Sequence, residues 1–183
     1  MKKQTYPLVL SALMLALCYI LPNFTGNIPV IGSMLLPMHL PVFLCGFLCG
    51  PYWSALVGFV APVSRSLLMT MPPMAVAIPM GFEMAVYGFV SGFLFQRLRK
   101  TNLSQIQNIY ISLISAMVMG RVIYGLIKAG MTFGSAEPYT LSAFIAGTVT
   151  SGIPGIILQL VMVPVVVLAV EKARPFPSGE VAS

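Results

Sequence analysis

Apolar residues run through this chain in six long blocks, approximately 6–22, 35–50, 53–70, 76–95, 108–127 and 142–170, parted by short polar or Gly/Pro-containing intervals. A helix that crosses a bilayer takes roughly 20 apolar residues, fewer where the bilayer thins or neighbours cover its ends. Each block is therefore predicted to be one crossing, which makes the chain an all-α membrane protein of six transmembrane helices. The longest polar intervals, Gln96–Gln107 and the tail after Glu171, leave no room for a soluble domain, so residues 1–183 are predicted to form a single integral membrane domain.

The polar residues that flank these blocks set the orientation. Lys2 and Lys3 precede the first span, Arg97, Arg99 and Lys100 follow the fourth, and Lys172 and Arg174 follow the sixth. Cytoplasmic ends of spans carry the excess of Lys and Arg, and an even number of crossings returns the chain to its starting side. Both termini are predicted to be cytoplasmic. Composition agrees: 58% of residues are hydrophobic and 8% charged, too few charges for a soluble domain of this length. The net charge of +6 sits at span ends and forms no continuous basic stripe, which speaks against nucleic-acid binding.

The N-terminal segment has a basic start and an apolar run ending at Cys18, as a secretory or lipoprotein leader does. Leu17 occupies the place where cleavage wants a small residue, so the segment is read as an uncleaved first helix. Asn23-Phe24-Thr25 fits a glycosylation sequon, a triplet common by chance. Cys18, Cys45 and Cys49 are odd in number and lie in apolar blocks, so they are read as small packing residues.

Loops and small residues add organisation. A tight Gly50-Pro51-Tyr52 turn joins spans two and three, and a stiff Thr70–Met74 connection joins three and four. The longer first outer loop, Pro22–Met34, holds Asn23, Asn27 and several Gly and Pro residues; it is either a lid over a pocket or a plain connector. A further outer connection runs from about Ala129 to Thr140. No repeat relates the first three spans to the last three, which weakens the case for a two-fold secondary carrier. Small residues recur one turn apart at Ala12/Ala16, Gly46/Gly50, Ser54/Gly58, Gly88/Gly92, Ala116/Gly120 and Ser151/Gly155. Such faces let helices approach closely; most are expected to serve internal packing, with Ala12 and Ala16 set aside as a candidate face toward another subunit.

Charge inside a span is costly and marks function by default, which singles out His39, Arg65, Glu83 and Arg121. Counted from the outer span ends, His39 lies about one turn deep, Arg65 and Glu83 one to two turns, and Arg121 nearly two, so the four form one polar layer within the error of the ends. Arg121, Tyr124 and Lys128 share one helix face, and Glu83 and Tyr87 are one turn apart. Thr148, Ser151, Gly155 and Gln159 give the sixth span a polar, small face with room for a ligand. The plainer alternative is an ion pair of Glu83 with Arg65 or Arg121 that only positions helices. A lone histidine without nearby carboxylates makes a poor metal site, and no metal or other cofactor is expected. Two arginines against one glutamate, with Lys128 at the mouth, leave a positive charge for a small organic anion such as a carboxylate. Aspartate is absent from the chain, as are a His-Glu-x-x-His pair, a Gly-x-Ser-x-Gly elbow and a phosphate-cradling loop, so catalysis is not expected and nucleotide energy would have to come from another polypeptide.

Three motifs carry a family resemblance: Ala12-Leu-Met-Leu-Ala16 on the first helix, Leu36-Pro-Met-His-Leu-Pro-Val-Phe-Leu-Cys-Gly-Phe-Leu-Cys-Gly-Pro51, and Ser54-Ala-Leu-Val-Gly-Phe-Val60. With six spans, inside termini and a long first outer loop, the chain resembles the substrate-binding S components of energy-coupling factor (ECF) vitamin transporters over nearly its whole length. The resemblance implies a multi-pass protein of the bacterial cell membrane, in contact with membrane lipid. Its first three helices, with Ala12 and Ala16, would dock on a transmembrane coupling subunit driven by two ATPases. Substrate would lie near the outer face between the first loop and helices four to six. That bears on Asn23, Asn27, Glu83, Tyr87, Arg121, Tyr124, Lys128, Thr148, Ser151 and Gln159, with His39 and Arg65 as support for the polar layer. Arg65 stands apart, because helix three belongs to the docking half. The arginine excess favours an acidic vitamin such as pantothenate, with riboflavin, a pyridoxine or hydroxymethylpyrimidine-type compound and folate left open. The competing class is a self-sufficient secondary carrier or small intramembrane enzyme.

Overall fold

The computed structural model describes residues 2–25, 37–133, 140–146 and 152–173, all of whose regular elements are helices. In chain order they are α1 (Lys2–Thr25), α2 (His39–Cys49), α3 (Pro51–Met69), α4 (Met74–Leu98), α5 (Gln105–Met131), α6 (Leu141–Ile145) and α7 (Ile153–Ala173). Local chemistry sets several of these boundaries. Ser104 opens α5 with a capping box: the Gln107 backbone N–H donates to Ser104 Oγ at 3.4 Å, and the Ser104 N–H donates to Gln107 Oε1 at 3.1 Å. Gly50 separates α2 from α3 with φ +96°, a conformation that suits glycine, and Pro51 follows at the first position of α3, where a missing N–H is harmless.

Among the described residues, four stretches are long and apolar enough to cross a membrane: Thr5–Asn23, Met74–Leu98, Gln105–Met131 and Ile153–Ala173. The predicted spans two, three and six differ in detail. α2 has 11 residues, about 16 Å of helix against a hydrocarbon core of about 30 Å, and nine of those residues are buried. It is a core helix, on which α1, α3, α4 and α7 all pack. α3 has 19 residues, but Ser54, Ser64, Arg65 and Ser66 dilute its apolar content. The sixth block divides into α6 and α7, with residues 147–151 outside the described ones.

Helix α4 is the other hub, packing against α2, α3 and α5. Small residues make this possible, as their spacing predicts. A Cβ on Gly88 would lie 2.8 Å from the Ser54 backbone carbonyl, and one on Gly92 would lie 2.7 Å from the Gly46 carbonyl oxygen. Gly58 comes closer still to the Met84 backbone. Cys18, Cys45 and Cys49 are buried free thiols within this core.

The contacts also define two ends. At one, Arg65 joins Tyr19, Asn23 and Met71, and Lys128 reaches Ala75. At the other, Gly50 lies against Gln96, and Arg99 pairs with Glu171 across α4 and α7 at 3.0 Å.

Gly88→Ala is expected to cost about 1 to 3 kcal/mol, because the added methyl meets backbone that must move. Gly130→Ala, where a Cβ meets nothing within 4 Å, is expected to be neutral or to stabilise by up to about 1 kcal/mol. Thermal unfolding of the detergent-purified protein measures both.

Candidate functional site

Glu83 and Tyr87 lie one turn apart on the buried face of α4. The Tyr87 hydroxyl donates to Glu83 Oε1 at 2.6 Å, and Arg121 of α5 brings Nη1 to the same oxygen at 3.1 Å. Glu83 keeps 3% of its side chain exposed and Arg121 17%, so the carboxylate is enclosed while the guanidinium still has an open side. Gly120, the residue before Arg121, lets this happen: a Cβ there would collide with the Tyr87 ring, so only a glycine allows α5 to come up against it.

From the opposite side α2 contributes His39 and Phe43, one turn apart and both buried. The Tyr87 ring stacks on Phe43 with centroids 5.0 Å apart and lies tilted to His39 at 5.5 Å. Tyr87 is thus clamped between α2 and α5 while its hydroxyl serves Glu83. The predicted layer of four polar residues is realised for three of them: His39, Glu83 and Arg121 converge through Tyr87.

Arg65 goes elsewhere. Its Nη1 donates to the Tyr19 carbonyl at 3.1 Å, Nη2 to Asn23 Oδ1 at 3.2 Å and Nε to the Met71 carbonyl at 3.3 Å. The Tyr19 hydroxyl bonds Ser64 beside it. Arg65 therefore binds the end of α1 to the end of α3 and to the connection that follows. Of the two ion pairs that the sequence allows for Glu83, the structure forms the one with Arg121.

The remaining candidates are placed as follows. Tyr124 and Lys128 are half-buried further along α5, with Lys128 Nζ donating to the Ala75 carbonyl at 3.3 Å. Phe144 of α6 packs on α5 at Gly125, next to Tyr124. Gln159 of α7 is buried, and its Nε2 has no hydrogen-bond partner among the described residues. Asn27, Thr148 and Ser151, with most of the first outer loop, lie outside the described residues. Phe43 was not singled out from sequence, and Gly120 only as half of a small pair with Ala116; their positions one turn from His39 and beside Arg121 were the available signals. Among the described residues no group of three metal-ligating side chains occurs.

A second surface lies between α1 and α3. Leu8, Ala12, Leu15, Trp53, Leu56 and Val60, with Ser11 and Val57, line an open apolar groove of about 220 Å³. Ala12 and Ala16 are both exposed, so nothing among the described residues covers the small face they make.

Because Glu83 and Arg121 satisfy each other in a dry setting, removing one should cost more than removing both. Arg121→Gln or Glu83→Gln alone is expected to lower stability by about 3 to 5 kcal/mol, and the double variant to recover a large part of that loss. A double-mutant cycle by thermal unfolding without ligand measures the coupling.

The comparisons with known proteins give one finding. No curated protein and no solved structure matches the chain. A family model described as the substrate-specific component of ECF transporters matches residues 7–167, a stretch that contains α2, α3, α4 and α5 whole and every residue of the Glu83–Tyr87–Arg121–His39 cluster. This chain, a helical membrane protein, belongs to the family of ECF transporter substrate-specific components.

Proposed function

We propose that this protein captures a small polar vitamin at the outer face of a bacterial cell membrane and presents it to a coupling subunit and two ATPases for ATP-driven uptake. The single observation that carries this reading is the buried Arg121–Glu83–Tyr87 chain in a member of a substrate-specific component family. The chain would cross six times as one integral domain with both termini cytoplasmic, α2 and α3 serving as short crossings that neighbours cover.

The pair makes the substrate's chemistry more specific than an excess of positive charge does. Glu83 cancels the charge of Arg121, yet the ion pair engages Nη1 of a guanidinium with five N–H donors. A substrate carboxylate would take donors on the open side of Arg121, with Lys128 adding charge at the mouth. Glu83 would accept from a hydroxyl or amide of the same molecule, and Gln159 Nε2 offers a further donor. An acidic vitamin with alcohol and amide groups, such as pantothenate, meets these requirements. Tyr124, Thr148 and Ser151 would line the pocket, and Asn23 and Asn27 would belong to a first loop closing over it.

The exposed Ala12 and Ala16, beside the apolar groove, are the proposed docking face for the coupling subunit. Leucine at both positions is expected to leave substrate binding by the purified protein within about twofold and to abolish uptake by the assembled transporter, because bulk at a close helix contact separates the surfaces. The check is vesicle uptake with and without the coupling subunit and ATPases. Uptake by this protein alone would contradict the S-component role, and normal uptake by the double variant would contradict the docking face.

A further inference from the structure

At the end of α4 opposite the candidate site, three exposed aromatic rings lead to a cation. Phe89 and Phe93 are one turn apart and stack nearly parallel, with centroids 5.9 Å apart and planes 7° from parallel. Tyr52 of α3, 80% exposed, meets Phe89 edge-on at 6.0 Å. One turn beyond Phe93, the Arg97 guanidinium lies over the Phe93 ring at 5.1 Å from its centroid. Helical side chains lean toward the N-terminal turn, so Arg97 is laid back onto the apolar strip instead of reaching out past the helix end.

The charges around Arg97 are unequal. Arg99 is paired with Glu171. Arg97 and Lys100 are both exposed, and neither pairs with a carboxylate among the described residues. The result is a cation held at the boundary between a basic helix end and an apolar strip whose two phenylalanines are about 6 Å apart along the helix.

We infer that Arg97, Phe93, Phe89 and Tyr52 form a binding site for an anionic phospholipid, its phosphodiester on Arg97 and one acyl chain along the rings. A guanidinium matches a phosphate in geometry and charge, and its contact with Phe93 orders it before the lipid arrives. A lipid with a cationic headgroup would bring a second positive charge toward Arg97 and Lys100, so the site selects a net anion. The strip differs from the Ala12 groove, whose lining comes from α1 and α3.

The test uses the full chain in neutral detergent, titrated with dioleoylphosphatidylglycerol or dioleoylphosphatidylcholine, with retained lipid counted by native mass spectrometry. The wild type is expected to hold phosphatidylglycerol about fivefold more tightly than phosphatidylcholine, the effect of one cation at a membrane surface. Arg97→Gln is expected to erase that preference, and Phe93→Leu, which keeps charge and apolarity but removes the ring, to reduce it. Melting temperatures without lipid show whether each variant is folded; if Arg97→Gln is not, Phe93→Leu decides alone. The inference is overturned if the two lipids bind equally, or if the folded variants keep the wild-type preference. It is likewise overturned if millimolar inorganic phosphate displaces the lipid, which would make this a free-anion site. Loss of the lipid on assembly with the coupling subunit would also overturn it, by making the strip a protein-docking face.

Discussion

A carboxylate surrounded by helix and lipid has to be answered within the protein, and the way Glu83 is answered organises the rest of this bundle. Its oxygen takes a proton donor from its own helix, Tyr87, and a charged donor from the next, Arg121. The second contact forms only where α4 and α5 lie close, and Gly120 provides that closeness by yielding its side-chain space to the Tyr87 ring. The same ring is pinned by Phe43 and His39 on α2. One buried acid thus draws three helices to a common point, with the guanidinium left partly open.

Around that point the scaffold divides its labour. α2 is too short to span a bilayer alone and is buried on almost every side, so it acts as a post on which longer helices lean. α4 approaches α2 and α3 through glycine and serine contacts that admit no added carbon, which fixes where its polar face points. Arg65 spends its donors on α1, on Asn23 and on the connection before α4, holding that corner without meeting Glu83. The Arg99–Glu171 pair performs the corresponding task between α4 and α7 at the other end. Between α1 and α3 the described packing leaves an apolar groove uncovered, with the small residues of α1 beside it.

Much of this was legible in the sequence because membrane physics leaves few options. Long apolar blocks mean helices, and helical spacing puts Glu83 with Tyr87 on one polar face and Arg121 with Tyr124 and Lys128 on another. The small pairs on α2, α3 and α4 were expected to serve internal packing and do. Block length was a poorer guide to helix length, since the apolar run 35–50 gives a described helix of only 11 residues, His39–Cys49. Depth counting put Arg65 in the layer because level along the membrane says nothing about direction around a helix. Only the fold shows that Arg65 turns toward Tyr19 while Arg121 turns toward Glu83. Counting charges likewise suggested an unpaired arginine, and the geometry shows Arg121 paired with Glu83.

The central claim is that the Glu83–Arg121 pair, held by Tyr87, is the floor of a pocket for a small organic molecule and more than a clamp between helices. Mass spectrometry of small molecules that copurify with the protein tests it most directly, comparing the wild type with Tyr87→Phe, which keeps the stacking ring and removes the hydroxyl that orients Glu83. The account predicts one small acidic compound in near-stoichiometric amount with the wild type and a severalfold loss from the folded variant. Equal retention by both proteins, or no small molecule from a folded wild type that also fails to bind added vitamins, would contradict it.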